Sequence, residues 1–155
     1  VTRAVRRAVS LPISVKLAPN VPNIGEIAHA AAEEGADAIT AVNTMPVMLI
    51  DAHAAKPVLR NKTGGLSGTA LKPIALRCVA EIASRVSLPI IGTGGVSTGL
   101  DAAEMIMAGA TLVGVGSAVW QDGPGVFGRI ARELQTFMDG EGYDRLKEMR
   151  GKAIR

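Results

Sequence analysis

Apolar positions along the chain fall into two alternating rhythms. The runs "LPISVKLAP" (11–19), "ADAITAVNT" (36–44), "LPIIG" (88–92) and "TLVGVG" (111–116) are short and rich in valine and isoleucine, as buried strands are. Between them, apolar residues recur at helical spacing. "IGEIAHAAAEEG" (24–35) opens at Asn23 and Glu26, a capping-box spacing, and is stopped by Gly35. "PIALRCVAEIASRV" (73–86) carries proline in its first turn, and "TGLDAAEMIMAG" (98–109) opens with Thr98 and Asp101 at the same capping spacing. "PGVFGRIARELQTFMDG" (124–140) and a polar helical tail complete the set. The chain starts on another helix, "VTRAVRRAVS", with Val1, Ala4, Val5 and Ala8 forming one stripe. Strands that alternate with helices predict an α/β fold with a parallel sheet covered by helices.

Such a sheet is either open and doubly wound or closed into a barrel, and the glycines choose between them. A dinucleotide fingerprint needs G-x-G-x-x-G at the first strand–helix turn, whereas "GTGGVS" misses that spacing and lies late in the chain. In (β/α)8 barrels a phosphate often sits on the loops after strands 7 and 8. Placing "GTGG" and "GVGSA" there makes the visible strands 5 to 8, so residues 1–155 read as the C-terminal half of a TIM barrel, a partial domain. The starting helix then belongs to the fourth β/α unit. A half barrel leaves two parallel edges unpaired, so an N-terminal half is expected upstream. A half barrel that dimerises is the alternative.

Composition narrows the class of ligand. The formal charge is +3, with cations scattered apart from "RR" near the start and the terminal segment, and only four aromatic residues (Trp 1, Tyr 1, Phe 2). Basic–aromatic interleaving is absent, which argues against nucleic acid and for an anionic small molecule. No apolar run reaches the roughly 18 residues of a spanning helix, and no basic start with an apolar h-region is present. A cytoplasmic location is the expectation. A single cysteine, Cys78, excludes a disulfide framework or an iron–sulfur cluster ligated by this chain alone.

Strand alternation places Ile13, Val15 and Leu17 on one face and Ser14, Lys16 and Ala18 on the other. Lys16 then points into the barrel toward an anionic or electron-rich partner, unless its stem lies along apolar surface and its ammonium reaches the rim. Asn43 and Thr44 end the second strand. An asparagine amide offers a donor beside an acceptor, matching a pyrimidine's lactam edge, and it equally suits a loop cap. Gly64, Gly65 and Gly68 in "NKTGGLSG" allow close backbone approach to a ligand. Gly94 and Gly95, with Gly116 and Ser117, form the proposed phosphate cradle of bare backbone donors and one hydroxyl. The stretch "MPVMLIDAHAAKPVLR", Met45 to Arg60, is too long and too apolar for an ordinary connection, and reads as a lid or binding surface; His53 within it is a candidate ligand contact. Cys78 shares a helical stripe with Ile74 and Ile82 and reads as core, and His29 shares a polar face with Glu33. No Ser-His-Asp or metal-ligand pattern appears, so hydrolysis is disfavoured and something brought from outside the chain must carry the chemistry.

Taken in order, "VKLAPN", "AVNT", "NKTGGLSGTALKPIALR", "IIGTGGV" and "AGATLVGVGSAV" resemble the dihydroorotate dehydrogenase family. Among its subclasses, "NKTGGLSG" looks most like the class 1B catalytic subunit. The resemblance implies oxidation of dihydroorotate to orotate in pyrimidine biosynthesis, with FMN as cofactor. It implies that Lys16 contacts the flavin ring, that Val42 and Gly68 contact FMN by backbone, and that Gly94, Gly95, Gly116 and Ser117 hold its phosphate. Asn43 and Thr44 would bind the substrate ring. It further implies a homodimeric core and an electron-transfer subunit carrying FAD and an iron–sulfur cluster. The family's class 1 base is a cysteine of the first half barrel. Nothing here matches it, so no catalytic base is assigned within these residues. Two other readings compete: a dihydropyrimidine dehydrogenase-like flavin domain, which would bind uracil in place of orotate, and a non-catalytic phosphate-binding half barrel.

Overall fold

A computed structural model describes residues 1–155. Helix α1 (Thr2–Ala8) leads into β1 (Ser14–Leu17), α2 (Ile24–Glu33) and β2 (Ala38–Ala41). Four short strands follow: β3 (Met45–Met48), β4 (Ile50–Asp51), β5 (Lys56–Pro57) and β6 (Thr63–Leu66). A 3-10 turn (Thr69–Leu71) then opens α3 (Lys72–Ala83), and β7 (Ile90–Thr93), α4 (Gly99–Met107) and β8 (Leu112–Gly114) complete the alternation. Helices α5 (Ser117–Asp122), α6 (Val126–Glu141) and α7 (Leu146–Met149) and a closing 3-10 turn end the chain.

The main sheet has four strands in the order β1-β2-β7-β8, every neighbouring pair parallel. The α/β expectation is met in that form. Val15, Leu17, Ile39, Ala41, Ile90 and Gly92 alternate toward the helices, where α2, α3 and α4 bury Ile24, Ala28, Cys78, Val79, Ile82 and Met105 against them. Cys78 is core, as its stripe predicts, and burial pushes its thiol up from the ordinary range. A second small cluster, Ala103, Ile106, Met138 and Met149, fixes α6 and α7 behind α4.

The opposite face is formed by the registers Lys16–Thr40, Thr40–Ile91 and Ile91–Leu112. No helix covers it, and Leu112 is 61% exposed there. The outer edges of β1 and β8 have no strand beside them in the sheet.

Three features of the fold go beyond what the sequence pattern shows. The stripe of α1 is not buried: none of its residues is, and ion pairs from Arg3 to Glu34 and from Arg6 to Asp37 (2.9 Å) hold the helix instead. Residues 45–66 are not an irregular loop but an antiparallel arm in which β3 pairs with β6 and β4 with β5. Proline at 46 and 57 and glycine at 64 and 65 depress strand propensity, which concealed the arm. Helix α5 begins two residues after the last strand, and its six residues are too few to show a helical period. The Thr98–Asp101 capping box is complete, whereas at α2 only Asn23 accepts, from the Glu26 amide (3.2 Å). The Glu26 carboxylate turns instead to Arg85, 3.1 Å away.

Candidate functional site

Parallel strands bring their C-terminal ends to one end of the sheet, and a cleft of about 160 Å3 opens there. Lys16 reaches it from β1, Val42 and Thr44 from the segment after β2, Gly94 and Gly95 from the turn after β7, and Gly116 and Ser117 from the start of α5. Gly68 joins them from the base of the arm. Residues separated by as much as a hundred positions thus line one concavity, because each follows or ends a strand of the same sheet. A smaller hollow of about 60 Å3 shares Gly68, Gly95 and Ser117 with the cleft and adds the hydroxyl residues Thr69 and Ser97.

The segment after β2 is pinned on both sides. The Val42 amide donates to the Thr93 carbonyl (2.9 Å) on β7, and the Asn43 amide donates to the Leu17 carbonyl (2.7 Å) on β1. The Val42 N–H is therefore spent, which leaves its carbonyl as the backbone group for a ligand. Asn43 is exposed next to Thr44 and is not among the residues lining the cleft.

The glycines divide by what a side chain would meet. A β-carbon on Gly94 would stand 2.8 Å from Cβ of Ala75, and one on Gly95 would stand 2.7 Å from Cβ of Lys72 and 2.8 Å from the Gly68 carbonyl. These two are required by packing against α3. At Gly68 and Gly116 a β-carbon meets nothing within 4 Å, so both present bare backbone to open space. Gly64 and Gly65 belong to neither group: they pair with Val47 and Pro46 in the arm, and Gly65 lies against the Thr44 side chain. They are strand residues, and of that motif only Ser67 and Gly68 reach the cleft. His53 sits at the arm's tip, where Asp51 Oδ1 accepts its amide (3.0 Å), away from the cleft. His29 is half exposed, 3.6 Å from Glu33, as its polar face predicts.

No carboxylate lines either hollow, and Lys16 is the charged residue that does. Ser67, Leu71 and Thr93 also line the cleft. All three stood inside the quoted motifs, but nothing in their spacing marked them as cleft residues. A polar network behind the cleft was missed as well. Asp101, 7% exposed, accepts through Oδ2 from the Ser97 amide, the Ser97 hydroxyl and the Thr98 amide, each at 2.9 Å. Its Oδ1 accepts from Lys72 Nζ at 2.6 Å, and Lys72 also meets Glu104 at 2.7 Å. Burial by itself would raise the Asp101 carboxyl. The hydrogen bonds from Lys72, Ser97 and Thr98 together outweigh it and hold the group well below the usual carboxylate range. Hydrogen bonding to Asp101 and then Glu104 raises Lys72 correspondingly.

A parallel α/β sheet with a carboxylate-free cleft beyond its strand ends, floored by bare glycine backbone, defines an α/β protein with an open cleft at the mouth of a β/α array. The dihydroorotate dehydrogenase family matches residues 1–138, and the chain belongs to that family, whose fold makes this sheet a portion of a TIM barrel. It is 49% identical over 154 residues to the catalytic subunit of dihydroorotate dehydrogenase B (NAD(+)) from Methanothermobacter thermautotrophicus, covering 99% of this chain and 51% of that protein. The Geobacter sulfurreducens protein of the same name is 50% identical over 151 residues, covering 97% and 49%. The Pyrococcus abyssi protein of that name is 43% identical over 155 residues, covering 100% and 52%. The chain spans about half the length of these curated relatives. No helix is long and apolar enough to cross a membrane.

Proposed function

We propose that residues 1–155 form strands 5 to 8 of a TIM barrel, its C-terminal half, and that the protein oxidises dihydroorotate to orotate with FMN held in the cleft. The observation that carries this is the convergence of Lys16, Val42, Thr44, Gly68, Gly94, Gly95, Gly116 and Ser117 on one concavity at the strand ends. The open strand edges, the uncovered face and relatives of twice the length support the half-barrel reading.

The site suits the cofactor chemically. Gly68 and Gly116 are a cradle that side chains would fill, the hydroxyls of Thr69 and Ser117 add neutral donors, and no carboxylate repels a phosphate. FMN, when bound, supplies the two-electron oxidant. Lys16, which lines the cleft, would place its positive charge beside the flavin ring, where it would favour the uptake of electrons. The Val42 carbonyl and the Gly68 backbone would contact FMN. Thr44, which lines the cleft, and its neighbour Asn43 would bind the substrate's lactam edge. The cleft lining holds no carboxylate, histidine or cysteine, and no catalytic base is assigned among residues 1–155. The words "NAD(+)" and "catalytic subunit" in the relatives' names support a separate electron-transfer subunit; that this partner carries FAD and an iron–sulfur cluster, and that the protein is cytoplasmic, belong to the same proposal.

Purifying the complete protein and releasing its ligand tests the reading. FMN should come off in stoichiometric amount, dihydroorotate should bleach the bound flavin anaerobically, and orotate should compete. A protein free of flavin, or one in which uracil competes and orotate does not, would overturn it.

A further inference from the structure

We propose that Lys72 and Asp101 are positioning residues for the phosphate-cradling turn, and that their charge balance sets the preference for a phosphorylated flavin over the same flavin without phosphate. The proposal rests on the reading that the cleft holds FMN. The turn from Gly94 to Ser97 joins β7 to α4, and its far side hangs on one carboxylate. Asp101 Oδ2 takes three donors from Ser97 and Thr98, all at 2.9 Å, while Oδ1 takes Lys72 Nζ at 2.6 Å. A helix cap alone would need only the exchange between Thr98 and Asp101. The additional bond crosses to the first residue of α3, and that residue's backbone is where Gly95 packs: a β-carbon there would be 2.8 Å from Lys72 N and 2.8 Å from the Gly68 carbonyl. Cradle, turn and ion pair are thus one contiguous unit.

The ammonium of Lys72 is already answered by Asp101 and by Glu104 at 2.7 Å. It is not a free countercharge for a phosphate. Its role toward the cleft is to neutralise Asp101, whose carboxylate accepts from the hydroxyl of Ser97 (2.9 Å), one of the smaller hollow's lining residues. With Lys72 in place the phosphate meets neutral, fixed N–H and hydroxyl donors. Without it, a nearly buried anion faces the phosphate from behind the turn and the turn loses one anchor. Both effects act on the phosphate and leave the isoalloxazine ring untouched.

The test measures dissociation constants for FMN and for riboflavin in the complete apoprotein, comparing wild type with Lys72→Met, Lys72→Gln and Lys72→Arg. Wild type should favour FMN. The Met variant should bind FMN about tenfold or more weakly with riboflavin affinity changed by no more than about twofold, and the Arg variant should restore the preference. The Gln variant keeps a hydrogen bond to Asp101 and serves if the Met variant does not fold. A wild-type preference that survives unchanged in the Met or Gln variant, or equal weakening of both flavins, would show a role in stability alone and overturn the proposal. Absence of any FMN preference in wild type would instead overturn the FMN reading itself.

Discussion

Gly95 lies so close to Lys72 that a single added methyl would sit 2.7 Å from the lysine β-carbon, and its φ of +77° is one that side chains rarely adopt. Gly116, across the cleft, has an ordinary φ of −118° and open space where its β-carbon would go. Two glycines of one cradle therefore exist for different reasons, packing at the first and access at the second.

That difference separates stability from binding. Gly95→Ala should destabilise the protein by about 2–4 kcal/mol through combined backbone strain and overpacking, and should lose flavin as a consequence. Gly116→Ala should leave the unfolding midpoint within about 0.5 kcal/mol of wild type yet lower FMN affinity, because the methyl projects toward the ligand. Thermal melts set beside flavin titrations check both. A Gly116→Ala protein with full flavin affinity would remove Gly116 from the cradle.

Lys16 is exposed, lies on the uncovered face of the sheet and lines the cleft, so its replacement disturbs no core. Lys16→Ala should change stability by no more than about 0.5 kcal/mol. The rate at which dihydroorotate reduces the bound flavin should fall on the order of a hundredfold, as expected when a preorganised charge is removed from a reacting group. Stopped-flow flavin bleaching measures it. An unchanged rate would place the ammonium away from the flavin.

Acid should weaken the α3–α4 junction in a defined window. Asp101 is held below its unfolded value, about 3.9, so it contributes stability in full above that value and loses it as pH falls toward the folded one. Lys72, raised above its unfolded value of about 10.4, contributes fully below that value and loses its share only as pH rises beyond it. Asp101→Asn should therefore lower stability at neutral pH and flatten the decline below about pH 4. Melting curves between pH 3 and 7 check this, and parallel acid limbs for the two proteins would contradict the assignment.

Ile82 and Ile39 are fully buried on the helix side of the sheet. Alanine at either should cost about 2–5 kcal/mol. Ile91, on the uncovered face, is only partly buried, and Ile91→Ala should cost clearly less in this chain by itself. If the complete protein closes a barrel over that face, the same substitution there should cost as much as at Ile39. Denaturant unfolding of the two lengths distinguishes these cases.

Period and punctuation made most of the main fold legible. The four strands, the three helices packed between them and the face to which Val15 and Leu17 turn all follow from alternation and capping signals, because each strand and helix must bury one side locally. The β3–β6 arm did not show, since its prolines and glycines oppose strand formation and only the pairing partner twenty residues away makes the ladder. Nor did the failure of α1 to bury its stripe, which depends on what packs beside it. For the site, the motifs named nearly every residue that lines the cleft, but they misplaced Gly64 and Gly65 and gave no reason for Lys72.

What the sequence by itself determined is therefore a set of short-range facts: parallel strands from valine- and isoleucine-rich runs, caps from Thr98 and Asp101, glycine at the strand ends, a lone core cysteine and an absence of metal-ligand spacing. Only the tertiary structure decided which glycines face a ligand and which face α3, that Val42 has already spent its N–H, and that Lys72 reaches across to Asp101. Those relationships join residues 19 to 51 positions apart through backbone and side-chain contact across the sheet and between helices. Local periodicity carries no record of such distances, and only the packed chain brings the partners within reach.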